Sequence, residues 1–90
     1  MKIVSKVRVK NPSGIHTRPA TRIVQILQQS KSEAFFTHKR ETASGRSLLH
    51  LLMLGMHKNR NVIITVDGED AEDTMNKLVH AFETKFGEEY

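Results

Sequence analysis

The feature that most constrains the fold of this chain is its division into short segments whose apolar residues repeat with two different periods. Apolar and polar residues alternate over positions 2–10, which is typical of a half-buried strand, whereas positions 17–29 carry apolar residues at helical spacing. The later segments are predicted as strands at 33–38, 41–43 and 61–66 and as helices at 48–54 and 70–86. The order β-α-β-β-α-β-α predicts an α+β fold, in which three helices cover one face of a four-stranded antiparallel sheet.

Length and composition restrict the chain to a small protein without cysteine chemistry. Its 90 residues predict one domain spanning 1–90, and the absence of Cys excludes disulfides, thiolate zinc sites and a cysteine nucleophile. No apolar run approaches the roughly 20 residues of a transmembrane helix. The alternating N-terminus also differs from the apolar block of a signal peptide. We therefore expect a cytoplasmic protein that does not insert into a membrane.

The net charge of +4 is distributed unevenly along the chain. Residues 1–46 hold ten Lys/Arg and two Asp/Glu, a balance of +8, whereas residues 47–90 hold four and eight, a balance of −4. A basic region of this kind is suited to an acidic or phosphorylated partner, because long-range charge steers encounter. A merely solvated basic surface is the alternative interpretation.

His16 is the strongest candidate for chemistry. Gly14 marks a break before it, and Pro19 follows in the first turn of the predicted helix. Helix N-termini expose unpaired backbone N–H groups and therefore bind phosphate. Arg18 adds a guanidinium that matches a phosphoryl group. The segment therefore predicts a histidine that accepts a phosphoryl group and passes it on. The other four histidines lack the spacing of a helical metal site, so we expect no metal.

A second candidate region surrounds Ser47, which is a plausible N-cap for the short helix at 48–54. That helix is apolar almost all round and ends at Gly55. Part of its surface must therefore face either the core or a partner.

At these two motifs the chain resembles the HPr family, the histidine phosphocarriers of the bacterial phosphoenolpyruvate:sugar phosphotransferase system. The first motif is Gly14-Ile15-His16-Thr17-Arg18-Pro19-Ala20, and the second is Ala43-Ser44-Gly45-Arg46-Ser47-Leu48-Leu49. The likeness extends over about the whole chain. It implies the open-faced β-sandwich of that family, with four antiparallel strands and three helices on one side.

The resemblance also implies roles for individual residues. His16 would accept a phosphoryl group on Nδ1 from phosphorylated enzyme I and pass it to an enzyme IIA domain. Arg18 would contact the phosphoryl group, and the backbone N–H groups of Thr17 and Arg18 would help to hold it. The implied docking surface is the exposed face of the first helix plus the short helix, where it consists of Leu48, Leu49, Leu52 and Met53, flanked by Arg46 and His50.

Ser47 is a candidate for regulatory phosphorylation by a serine kinase, reversed by a phosphorylase, because the resemblance implies the serine that a kinase phosphorylates in many Gram-positive relatives. A helix cap without a regulatory role is the alternative. Because partner proteins would complete the site, the resemblance implies a phosphoryl carrier rather than an enzyme. We expect this carrier to need no cofactor and to act as a monomer. Enzyme I is expected to present an acidic surface to it.

Two further functions compete with this one. The chain could be a regulatory paralogue of the nitrogen-branch type, in which phosphorylation only gates binding to targets. Nucleic-acid binding is disfavoured, because aromatic residues are not interleaved with the basic ones and the C-terminal half is acidic.

Overall fold

The fold is an antiparallel sheet with helices packed on one face, as the sequence predicts. The structure is a computed structural model, which describes residues 1–88. The elements in chain order are β1 (Lys2–Arg8), α1 (Thr17–Gln28), β2 (Glu33–His38), β3 (Glu41–Ser44), α2 (Leu48–Met53), β4 (Asn61–Asp67), α3 (Ala71–Glu83) and a 3-10 turn, Lys85–Gly87.

The sheet has the strand order β1-β4-β2-β3, and every neighbouring pair is antiparallel. Among residues 1–88, β1 therefore lies at one edge of the sheet and pairs with β4, from Lys2 opposite Asp67 to Arg8 opposite Asn61. β3 forms the other edge as half of a hairpin with β2. This hairpin turns through Lys39, which adopts a left-handed φ of 58° without the glycine or asparagine that usually marks such a turn.

The two faces of the sheet differ in burial, as period-two strands require. Val62, Ile64 and Val66 of β4 are buried under the helices, and Phe36 of β2 lies opposite Ile64 on the same face. The core on this side includes Phe82 of α3, whose ring centroid lies 6.2 Å from that of Phe36.

The other face of the sheet remains open. Val4 and Phe35 both pair with Thr65 and are 59% and 40% exposed. The consecutive phenylalanines Phe35 and Phe36 therefore lie on opposite faces, and one of them belongs to the core.

The third helix is shorter than predicted, and the expected boundary near Phe86 is wrong. α3 ends at Glu83, and Thr84 Oγ1 donates to the carbonyl of His80 before the chain turns. Lys85 and Phe86 both adopt left-handed φ, 58° and 54°. Phe86 nevertheless keeps the apolar contact that its spacing predicts, with its ring centroid 4.9 Å from that of Phe82.

Candidate functional site

His16 occupies the N-cap position of α1, immediately before Thr17. Its backbone is extended, with φ −89° and ψ −166°, and its carbonyl accepts the first helical hydrogen bond from Ala20. Its side chain makes no capping bond and is 40% exposed. The imidazole therefore does not close the helix end, and part of the ring remains exposed.

The loop before His16 is held in place by Gly14 and Ile15. Gly14 has a left-handed φ of +67°, and a Cβ there would lie 2.7 Å from the carbonyl oxygen of Met56. That same oxygen accepts a 2.8 Å hydrogen bond from the backbone N–H of Ile15. The break that the sequence marks with glycine is therefore a close approach between two loops, and it fixes the position of His16.

The first turn of α1 offers a small set of backbone donors beside His16. The N–H groups of Thr17 and Arg18 have no backbone acceptor among residues 1–88, and Pro19 has no N–H. An anion at this helix start would meet these N–H groups and the positive end of the helix dipole.

The side chain of Arg18 lines a surface cavity of about 560 Å³ between α1 and the α3 segment. Arg22, Lys77 and His80 line the same cavity, which therefore contains several basic groups. No hydrogen bond joins the side chains of Arg18 and His16 within the described part of the chain. A role of Arg18 in holding the phosphoryl group stays a prediction.

Two functional candidates were missed by the sequence analysis. Glu88 Oε2 lies 2.8 Å from Nε2 of His16, and Glu88 Oε1 accepts a 2.9 Å hydrogen bond from Nδ2 of Asn11. No periodicity or motif indicates a pairing over 72 positions. The one available signal in the sequence was the polar residue Asn11 at the start of the turn. In the structure the Asn11 side chain is fully buried.

The second candidate region contains the cap that the sequence predicts. Ser47 is the N-cap of α2, and its Oγ accepts a 3.2 Å hydrogen bond from the backbone N–H of His50. The predicted helix end at Leu54 is late by one residue, since α2 ends at Met53. Leu51 and Leu54 are buried, so these residues belong to the core.

The remaining apolar residues of α2 form an exposed surface, which we call the α2 patch. Its members are Leu48 (38% exposed), Leu49 (63%), Leu52 (37%) and Met53 (69%). His50 is exposed on the same helix. Arg46 differs from this set, because its guanidinium pairs with Glu33 and donates to the carbonyls of Ser30 and Ser32. The positive charge of Arg46 is thus partly neutralised within the molecule.

Two further findings concern membrane-spanning helices and metal sites. No helix in residues 1–88 is both long and apolar enough to cross a membrane. Among the same residues, no three His, Asp or Glu side chains come together in a way that could hold a metal ion.

Comparison with known proteins assigns the chain to a family. Residues 3–84 match the family model described as PTS HPr component phosphorylation site. A phosphocarrier protein HPr of Chlamydia muridarum is 40% identical over 80 residues, which cover 89% of this chain and 77% of that protein. The chain therefore belongs to the PTS-HPr family of phosphocarrier proteins.

Two further relatives agree with this assignment. The crystal structure of HPr-C-His from Thermoanaerobacter tengcongensis superposes with a TM-score of 0.92 at 28% identity and covers 98% of this chain and 99% of that one. A multiphosphoryl transfer protein of Salmonella typhimurium is 36% identical over 83 residues, covering 89% of this chain but 22% of that protein.

Proposed function

We propose that this chain accepts a phosphoryl group on Nδ1 of His16 from phosphorylated enzyme I and passes it to an enzyme IIA domain. The observation that carries the proposal is the position of His16, exposed at the start of α1 with Nε2 already engaged by Glu88. Of the two ring nitrogens, Nδ1 is therefore the one left for a partner.

The transfer needs little machinery within this chain. The lone pair of Nδ1 attacks phosphorus as the bond between phosphorus and the donor breaks, and that electron pair leaves with the donor. The Arg18 guanidinium and the N–H groups of Thr17 and Arg18, which have no backbone acceptor among residues 1–88, supply donors for the phosphoryl oxygens. Transfer to the acceptor reverses these events.

The docking surface that we propose is the α2 patch together with His50, Arg46 and the exposed face of α1. The α2 patch offers apolar area, and the basic residues of α1, Arg18 and Arg22, favour an acidic partner. A small apolar contact with complementary charge gives fast association and fast release, which a relay between two partners requires.

Ser47 is proposed as a regulatory site for a serine kinase. A phosphate there would add about −1.5 to −2 charges beside the α2 patch and would repel an acidic partner. This role is compatible with its capping bond to His50, because a phosphate oxygen can accept the same N–H.

The proposal is tested by incubating the chain with enzyme I and phosphoenolpyruvate and measuring intact mass and acid lability. We expect one acid-labile phosphate, which is absent in His16→Ala and retained in His80→Ala, a matched variant of an exposed histidine on α3. Addition of an enzyme IIA domain should then remove that phosphate. Acceptance that survives in His16→Ala would refute the site. Acceptance without onward transfer would favour the regulatory alternative.

The role of Arg18 has a matched control in Arg22, which lines the same cavity one turn later. Arg18→Ala should slow phosphoryl transfer about tenfold or more while weakening enzyme I binding much less, since its donors act on the transferred group. Arg22→Ala should alter only the salt-dependent association rate. Equal losses of transfer and binding in Arg18→Ala would make Arg18 a docking residue.

A further inference from the structure

The contact between His16 and Glu88 differs from a solvent-exposed surface ion pair. The Glu88 side chain is 8% exposed, whereas the His16 side chain is 40% exposed. Its two oxygens have different partners: Oε2 lies 2.8 Å from Nε2 of His16, and Oε1 accepts from Nδ2 of Asn11 at 2.9 Å. The carboxylate is thus held between a buried amide and the ring.

Asn11 fixes the orientation of this arrangement. It is fully buried, and its Nδ2 donates both to Glu88 and to the carbonyl of Gly14 at 2.6 Å. Rotating the amide by half a turn would place Oδ1 against two oxygen acceptors, so the donor must remain on this side. Both hydrogens of Nδ2 are therefore committed.

The backbone brings Glu88 to this position through a turn that most residues avoid. Lys85, Phe86 and Gly87 have successive left-handed φ values of 58°, 54° and 77°, and two of these residues are not glycine. Phe86 contacts Phe82 on one side of the turn, and the N–H of Glu88 donates to the carbonyl of Lys85. Contacts on both sides therefore hold the unusual conformation.

A carboxylate can only accept a hydrogen bond, so the ring nitrogen that faces it must carry the proton. We propose that Glu88 is a positioning residue, which holds His16 with the proton on Nε2 and thereby leaves the lone pair of Nδ1 as the nucleophile. This inference rests on the proposed function and deepens it, because it names the group that selects the reacting nitrogen.

The contact between His16 and Glu88 also stabilises the phosphorylated product of the transfer. When Nδ1 forms its bond to phosphorus and the donor departs with the electron pair of the broken bond, the ring becomes a phosphorylated imidazolium with a proton on Nε2. The Glu88 carboxylate already faces that proton and balances the new positive charge. No ring proton has to leave during the attack.

The arrangement predicts a specific effect of Glu88→Gln. Asn11 presents a donor to one end of the new amide, so the Gln oxygen turns towards Asn11 and its nitrogen towards His16. That nitrogen donates to Nε2, which must then be unprotonated, and the proton moves to Nδ1. The near-isosteric variant is therefore expected to invert the tautomer.

We would measure the tautomer directly by ¹⁵N NMR of the imidazole in alkaline buffer, where free histidine is neutral. In the wild type we expect the proton on Nε2, and in Glu88→Gln on Nδ1. Glu83→Gln removes the same charge from a residue that pairs with Lys10, so it should match the wild type. An unchanged tautomer in Glu88→Gln would overturn the proposal.

A second readout uses potassium phosphoramidate, a small donor that requires no partner protein. It transfers its phosphoryl group to a ring nitrogen as its P–N bond breaks and ammonia leaves. The wild type should be phosphorylated on Nδ1, and Glu88→Ala on both nitrogens because Nε2 is uncovered. Glu88→Gln should react about tenfold more slowly, since Nδ1 is protonated. Wild-type product on Nε2, or a wild-type rate in Glu88→Gln, would overturn the proposal.

These experiments separate two possible failures. The tautomer and the phosphoramidate product depend only on this chain, whereas acceptance from enzyme I also depends on the proposed relay. A wild-type chain with the expected tautomer that enzyme I does not phosphorylate would refute the proposed function and leave the positioning role of Glu88 standing.

Discussion

The carboxylate of Asp70 accepts a 2.9 Å hydrogen bond from the backbone N–H of Lys31 and so joins the start of α3 to the loop between α1 and β2. The hydroxyls of Ser30 and Ser32 also donate to this carboxylate. The Lys31 N–H, followed by the Ser32 hydroxyl, lowers the pKa of Asp70 below its ordinary value of 3.8.

This arrangement predicts how stability depends on pH. Because the pKa of Asp70 is lower in the folded state, its stabilising effect is complete above about pH 4 and is lost as the pH falls through the folded-state pKa. Asp70→Asn should therefore lower the free energy of unfolding near about pH 7, and the difference from the wild type should shrink towards about pH 2.

Urea unfolding at the two pH values measures this difference. Asp73→Asn is a suitable control, because Asp73 forms an ion pair with Lys77 on the exposed surface of α3. An Asp70→Asn deficit that is equal at both pH values would contradict the assignment of the effect to the charged carboxylate.

Gly14→Ala should be strongly destabilising, because it combines a left-handed φ with a Cβ placed 2.7 Å from the carbonyl oxygen of Met56. We expect a loss of about 3 kcal/mol in the free energy of unfolding. Gly55→Ala shares the left-handed φ, at +73°, but its Cβ would meet ordinary contacts at 3.9 and 4.0 Å. It should lose about 1 kcal/mol. Similar losses in both variants, by chemical denaturation, would show that steric contact with Met56 is unimportant.

Substitutions of Ser47 can separate its capping role from a regulatory one. Ser47→Ala removes the acceptor for the N–H of His50 and should cost about 1 kcal/mol of stability. Ser47→Asp keeps a capping acceptor but adds a negative charge, so it should preserve stability and weaken enzyme I binding several-fold. Calorimetric titration with enzyme I measures the binding. Unchanged affinity of Ser47→Asp for enzyme I would show that Ser47 acts only as a helix cap.

The α2 patch can be tested with two exposed apolar residues on different surfaces. Leu49 is 63% exposed on α2, and Val4 is 59% exposed on the open face of the sheet. Leu49→Ser should weaken enzyme I binding by about 1–2 kcal/mol, whereas Val4→Ser should leave it unchanged. Both variants should keep wild-type stability to within about 0.5 kcal/mol. Weaker binding in Val4→Ser would move the docking surface to the sheet.

Much of the fold could be predicted because local pattern and burial agree. The alternation over β2 places Phe36 and Phe35 on opposite faces, and the structure buries one and leaves the other 40% exposed. The start of α1 could be placed because Gly14 and Pro19 both act locally, through φ and through the missing N–H.

The end of α3 could not be predicted from the same pattern, and the reason is physical. Phe86 lies four positions after Phe82, which is helical spacing, and the two rings are in contact. The contact is reached through a left-handed turn instead of a further helical turn. Apolar spacing records which side chains meet but not the backbone path between them.

The Glu88 contact escaped prediction for a different reason. A polar pairing over 72 positions leaves no periodic trace, and Glu88 lies in an acidic segment that looks solvated. The histidine, its helix start and the cap at Ser47 were therefore predictable from local chemistry, whereas the partner of the imidazole depended on tertiary structure.

The edge position of β1 has a consequence for protein synthesis. The ribosome releases β1 before β4, its neighbour in the sheet formed by residues 1–88, so β1 stays unpaired until β4 has been translated as far as Asp67. The loop carrying His16 waits as well, since its anchor is the carbonyl of Met56. β1 and the loop carrying His16 are thus translated well before the residues that anchor them, and a nascent chain exposes an unpaired strand that chaperones can bind.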